Sequence, residues 1–126
     1  MVNGKLEVFV VDDDVSVCRA LSVLLGTYGF RVRTFTSAEE FFRAVPDSVA
    51  GCLILDMHMP GLDGLATLRR LQASRSDRPV IMITADKSSE LRKKVLKGGA
   101  GGLLLKPFND QALVDLINSV GEKEAV

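Results

Sequence analysis

The stretch Cys52-Leu53-Ile54-Leu55-Asp56-Met57-His58-Met59-Pro60-Gly61 decides how this chain folds. Four apolar residues in a row, bounded downstream by a proline–glycine turn pair, read as a strand buried on both faces. Asp56 then emerges at the end of a sheet, a place where open α/β sheets bind ligands. A carboxylate in that position serves as a nucleophile or a metal ligand. Three other segments end the same way. Asp12 and Asp13 follow the apolar run that closes at Val11, Thr84 follows Val80-Ile81-Met82-Ile83, and Lys106 follows Leu103-Leu104-Leu105.

Working outward, strand and helix patterns alternate. Leu6 to Val11 reads as the first strand. Val15 to Tyr28 carries Val17, Leu21, Leu24 and Leu25 at helical spacing and stops at Gly29. Arg31 to Phe35 is a second strand. Thr36 or Ser37 caps the next helix, Ser37 and Glu40 suit a capping box, and the helix bears Phe41, Phe42 and Val45 before Pro46. Asp63 is placed to cap a helix holding Leu65, Leu68 and Leu71. Pro79 opens the fourth strand. Ser88 or Ser89 caps a helix with Leu91, Val95 and Leu96 on one face, stopped by Gly98 and Gly99. Asn109 caps the last helix, with Ala112, Leu113, Leu116, Ile117 and Val120 inward. Apolar strands alternating with helices predict a parallel sheet covered on both faces.

Composition agrees with one compact domain. The chain has 126 residues, 47% of them hydrophobic, enough for a real core. Its 16 basic and 16 acidic residues cancel, so nothing favours direct binding to nucleic acid. Cys18 and Cys52 form no CxxC pair and read as free buried thiols in a reducing compartment. The N-terminus has no apolar signal core and no segment is long enough to span a membrane, so the expected location is the cytoplasm.

Asp12-Asp13-Asp14 is a run of like charges, and a fold that gathers them supplies a cation. Asp14 reads as the cap of the following helix. Capping explains one acid and leaves Asp12 and Asp13 as metal ligands. Oxygen donors suit Mg²⁺ or Mn²⁺ rather than zinc. Taken alone, Thr84 reads as structural and Lys106 as a surface lysine with a buried stem. Pro107 holds Lys106 extended and leaves room for a cis bond. Together, a strand-end carboxylate, a metal held by two more, a hydroxyl and an ammonium compose a phosphoryl-transfer site with Asp56 as the attacking group.

The chain resembles the receiver domain of bacterial two-component response regulators over essentially its whole length. The matching pieces are Val11-Asp12-Asp13-Asp14, Leu55 to Gly64 around Asp56, Ile83-Thr84-Ala85, Gly99-Ala100 and Lys106-Pro107-Phe108, in order and at the family's spacing. The resemblance implies a flavodoxin-like (βα)5 fold, a doubly wound parallel sheet of five strands in the order 2-1-3-4-5. Residues 1–121 would form the receiver domain and 122–126 a polar tail or the start of a linker. It implies Mg²⁺-dependent (or Mn²⁺-dependent) transfer of a phosphoryl group from a sensor histidine kinase to Asp56, with the His58 backbone carbonyl as a further metal ligand. Thr84 and Lys106 would bind the phosphoryl group. His58 and Asp86 match positions that tune dephosphorylation, and Thr84, Leu103 and Pro107 mark the switch region. The implied partners are an output domain or downstream protein, and a second copy of the chain on phosphorylation. The implied activity is a switch rather than an enzyme. The wording around Asp56 is similar to regulators of the nitrogen-fixation and nitrate-response type.

Some residues depart from the family pattern. Leu103 stands where the family usually has Tyr or Phe, and Gly102 where an acid is more common. The run Gly98-Gly99-Ala100-Gly101-Gly102 reads either as a loose loop or as a unit that moves with the preceding helix. Arg92, Lys93, Lys94 and Lys97 form a solvated face or a surface for an acidic partner. The alternative function is a receiver-like interaction module that acts without phosphorylation. An aspartyl phosphatase of the haloacid-dehalogenase type is disfavoured because His58 occupies the place of its second acid. A flavin-binding domain is disfavoured because three acids would repel the flavin phosphate.

Overall fold

The computed structural model describes residues 7–59, 62–74 and 78–125, with the side chains of 58, 59, 62, 63 and 121–125 excepted. Leu6 and the Pro60-Gly61 pair fall outside the described residues. Five strands, β1 (Glu7–Val11), β2 (Arg31–Phe35), β3 (Cys52–Asp56), β4 (Val80–Thr84) and β5 (Gly102–Leu105), form one parallel sheet in the order β2-β1-β3-β4-β5. Helices α1 (Val15–Thr27), α2 (Ala38–Ala44), α3 (Gly64–Ser74), α4 (Ser89–Lys97) and α5 (Asp110–Ala125) connect and cover them. This is the doubly wound order expected.

Alternate residues of each strand face opposite sides of a sheet, and the central strands are apolar at both. Val8, Val10, Cys52, Ile54, Ile81 and Ile83 pack with Cys18, Leu21 and Leu25 of α1 and Leu113, Val114, Ile117 and Val120 of α5. Phe9, Val11, Leu53, Leu55, Val80 and Met82 pack with Phe41 of α2, Leu68 and Leu71 of α3 and Val95 of α4. Every residue of β3 and β4 is buried, which is why the sequence shows runs there and not alternation. Both cysteines are buried and neither forms a disulfide.

The helix signals are met, with differences of detail. Ser37 caps α2 by accepting from the Glu40 N–H, but the Glu40 carboxylate accepts from Thr36 N–H at 3.0 Å, one residue before the cap a capping box would use. Leu96 is 44% exposed and not inward. Leu91 and Val95, one turn apart, set the inward line of α4, and Leu96 is rotated about 100° from it. α5 runs on to Ala125 and so takes in residues 122–125. Asp63 lies directly before α3 in a two-residue strand (Leu62–Asp63) that pairs antiparallel with His58–Met59, a hairpin the periodicity gave no sign of.

The glycine run is closely packed. Gly99 ends α4 at φ 100°, a left-handed turn that favours glycine. A Cβ on Gly102 would come within 2.8 Å of Leu116 on α5, so the missing side chain lets that helix approach β5. The Gly101 N–H donates to the Val80 carbonyl at 2.7 Å. These contacts give Gly99, Gly101 and Gly102 definite places in the fold.

Phe41 is buried, with ring centroids 5.5 Å from Phe9 and 5.6 Å from Phe35. Phe41→Ala is expected to lower unfolding free energy by about 3–5 kcal/mol. Urea denaturation followed by far-UV circular dichroism measures this, and a loss below about 1 kcal/mol would contradict the packing described.

Candidate functional site

Four strands deliver the site. Val11 of β1 pairs with Leu55 of β3, which puts Asp12 and Asp56 on the next rung at the point where the strand order reverses. Asp56 is the last residue of β3 and Thr84 the last of β4, so both sit inside their strands rather than just past them. The Met57 N–H donates to the Ile83 carbonyl at 2.9 Å and the Lys106 N–H to the Thr84 carbonyl at 2.8 Å, extending the ladder through the site. The Lys106–Pro107 bond is cis.

One carboxylate oxygen from each of Asp12, Asp13 and Asp56 lies within 4.8 Å of the other two. Asp12 and Asp56 are buried, at 4% and 7% exposure, and Asp13 is exposed. Lys106 Nζ stands 3.8 Å from Asp56 Oδ2. Burial pushes the Asp12 carboxyl above its ordinary value and Asp56 pushes it further, while the Asp14 N–H, donating to Asp12 Oδ1 at 2.9 Å, opposes the rise. Asp14 caps α1 as expected. Its carboxylate accepts from the Ser16 hydroxyl and from the Ser16 and Val17 N–H groups, which holds its carboxyl below the usual range.

A buried carboxylate kept beside two others needs a cation, and the donors are hard oxygens at one open end of the sheet. The set fits Mg²⁺ or Mn²⁺.

Thr84 is fully buried. Its Oγ1 accepts from the Asp86 N–H at 3.0 Å. The Asp86 carboxylate accepts from Ser88 N–H at 2.8 Å, and Ser88 Oγ caps α4 by accepting from Leu91 N–H at 3.2 Å. A continuous hydrogen-bonded chain thus joins Thr84 to the N-terminus of α4. Leu103 is half-buried in β5 and packs on the α2-α3-α4 side. His58 begins the short hairpin, two residues after Asp56, and its side chain lies outside the described residues. Beside Lys106 opens an apolar pocket of about 540 Å³ formed by Val17, Leu21, Ile83, Ala85, Pro107 and Phe108, with Asp12 at its edge.

Asp12, Asp13, Asp56 and Lys106 therefore converge, and Thr84 ends the strand next to Asp56. One supporting residue escaped the sequence reading. The Cys18 thiol donates to the Asp12 carbonyl at 3.3 Å, tying α1 to the acidic turn, and burial raises its pKa. Its position one helical turn after the Asp14 cap was the available signal.

The family model for the response regulator receiver domain matches residues 8–118. The chain belongs to this family. It is a receiver domain of two-component response regulators, and receiver domains bind Mg²⁺ at an acidic pocket of the kind formed here by Asp12, Asp13 and Asp56. The chain is 37% identical over 115 residues to the transcriptional regulatory protein FixJ of Bradyrhizobium diazoefficiens, covering 91% of this chain and 56% of that protein. It is 38% identical over 122 residues to nodulation protein W of the same organism, covering 97% and 54%. Full-length FixJ from B. japonicum superposes with a TM-score of 0.88 at 35% identity, over 97% of this chain and 60% of that one. The response regulator StyR gives 0.86 at 40% identity, over 94% and 60%. The chain spans about half the length of the curated relatives it matches. Among the described residues no helix is long and apolar enough to cross a membrane.

The crowded acids make a pH prediction. Asp12 holds its proton more tightly folded than unfolded. Between the ordinary value of 3.8 and the raised one the folded state carries more protons, so in metal-free buffer this group adds stability as pH falls through that window. Asp12→Asn should abolish that slope and raise metal-free stability near neutral pH by roughly 1–3 kcal/mol, chiefly by removing the cost of burying the charge and secondarily by relieving repulsion from Asp56. Thermal melts in EDTA across pH test both, and a less stable variant would contradict the electrostatic reading.

Proposed function

We propose that this receiver domain accepts a phosphoryl group on Asp56 from a sensor histidine kinase, with Mg²⁺ (or Mn²⁺) required. The convergence of the three carboxylates with Lys106 at the sheet end carries this reading. An Asp56 oxygen attacks phosphorus as the bond to the kinase's histidine nitrogen breaks. Lys106 places an ammonium beside the same carboxylate, where charge on the equatorial oxygens needs neutralising. Thr84 ends the strand next to Asp56, where its hydroxyl would bind a phosphoryl oxygen. Asp12, Asp13, Asp56 and the His58 carbonyl would hold the cation. When bound, Mg²⁺ supplies charge neutralisation for the transferring group. The domain acts as a switch in the cytoplasm and catalyses only its own phosphorylation and dephosphorylation.

Leu103 has no ring to reorient, so the change travels differently. When Thr84 turns to the phosphoryl group, the chain through Asp86 and Ser88 shifts the N-terminus of α4. The close-packed glycines at the other end transmit that shift to α3 and α5. Asp86 and His58 set the lifetime of the phosphorylated form. An output domain or downstream protein reads the altered surface, with pairing of two copies a second route. The apolar pocket beside Lys106 suits contact with the kinase.

Intact-mass measurement after incubation with acetyl phosphate and Mg²⁺ tests the chemistry. The parent is expected to gain one phosphoryl group and Asp56→Asn none. A parent that gains nothing from either acetyl phosphate or a phosphorylated kinase would favour an interaction module working without phosphorylation.

Asp86→Ala tests the route. It is expected to leave labelling of Asp56 intact, speed amide exchange at residues 88–91, and blunt the change in exchange of α4 on phosphorylation. An unaltered α4 response would contradict the hydrogen-bonded route.

A further inference from the structure

A second recess, of about 250 Å³, lies between α3 and α4 and is lined by Leu65, Leu68, Arg69, Lys94, Lys97 and Gly98. Its apolar floor is half-buried Leu65, backed by Leu68, which is already fully buried beneath it. Gly98 keeps it open: a Cβ there would meet Leu68 Cδ2 at 3.0 Å and the Lys94 carbonyl at 3.2 Å. Three cations stand at the rim with no acid among the lining residues. None of the three makes a side-chain ion pair or hydrogen bond among the described residues. The contrast with Arg70 is informative. One residue along α3, it pairs with Glu39 at 2.9 Å and lies 3.8 Å over the Phe42 ring. Arginine on this surface is satisfied where acids and rings are provided, and among the described residues no acid lines the recess. The excess is local, because the chain's basic and acidic residues balance while α4 alone carries Arg92, Lys93, Lys94 and Lys97 against Glu90.

We propose that the α3–α4 groove is a docking surface for an acidic peptide segment that inserts one aliphatic side chain. The aliphatic group covers the exposed part of Leu65, and carboxylates on either side meet Arg69, Lys94 and Lys97. Such a site divides its work: the desolvated apolar anchor holds, and the rim charges steer and select. A nucleic-acid strand fits less well. It would leave the apolar floor unfilled, and a molecule of zero net charge has no general field for an extended polyanion. The groove is complete without a phosphoryl group, so this inference stands apart from the chemistry at Asp56.

Amide-resolved NMR titration of the unphosphorylated chain tests it, with a synthetic peptide of glutamates flanking a pair of leucines as probe. Shifts are expected to concentrate in residues 64–74 and 89–99. Affinity should fall at least about tenfold in Lys94→Glu/Lys97→Glu, fall when the leucines are replaced by alanine, and weaken with salt. Lys94 and Lys97 are exposed, so the double variant should melt with the parent, and Arg69→Ala gives an independent single-site check. No saturable shifts in the groove, unchanged binding by the charge variants, or equal binding of the alanine peptide or of a single-stranded oligonucleotide would overturn the proposal.

Discussion

Three carboxylates are held within 4.8 Å of one another by backbone pairing that is indifferent to their charge. The rest of the structure follows from that constraint. Repulsion on this scale is tolerated because the strands that impose it are buried along their length and paired on both sides. Lys106 compensates only in part, from one side and at 3.8 Å from Asp56. The fold therefore keeps a site crowded with negative charge, which suits the Mg²⁺ that receiver domains bind at such an acidic pocket.

The two faces of the sheet serve this site differently. The α1–α5 face anchors the acidic turn, through the Asp14 cap and the Cys18 thiol on the Asp12 carbonyl. It also opens an apolar pocket beside Lys106. The other face joins the site to α4. Thr84, Asp86 and Ser88 form a hydrogen-bonded line to α4, and the glycines after α4 bring α3, β5 and α5 close to its far end.

Much of this was legible in the sequence because it rests on local signals. Apolar runs marked β3 and β4, and the acids and lysine after such runs marked the sheet end. Their order and spacing placed the chain in its family, and the topology followed. What was not legible depended on tertiary detail. Leu96 has the chemistry of an inward residue, but a helix touching the body along a single line leaves it outside. Glu40 was expected to complete a capping box, yet its reach brings it to Thr36. A two-residue hairpin leaves no periodicity to read. The glycines suggested looseness from composition, whereas the reason for them is the approach of Leu116 and the turn at Gly99.

The central claim is that the carboxylate cluster is built around a divalent cation. Calorimetric titration of Mg²⁺ into the parent and into Asp12→Asn at neutral pH tests it most directly. The account predicts one saturable site in the parent and its loss in the variant. Equal Mg²⁺ binding by the two proteins, or none by the parent, would contradict it.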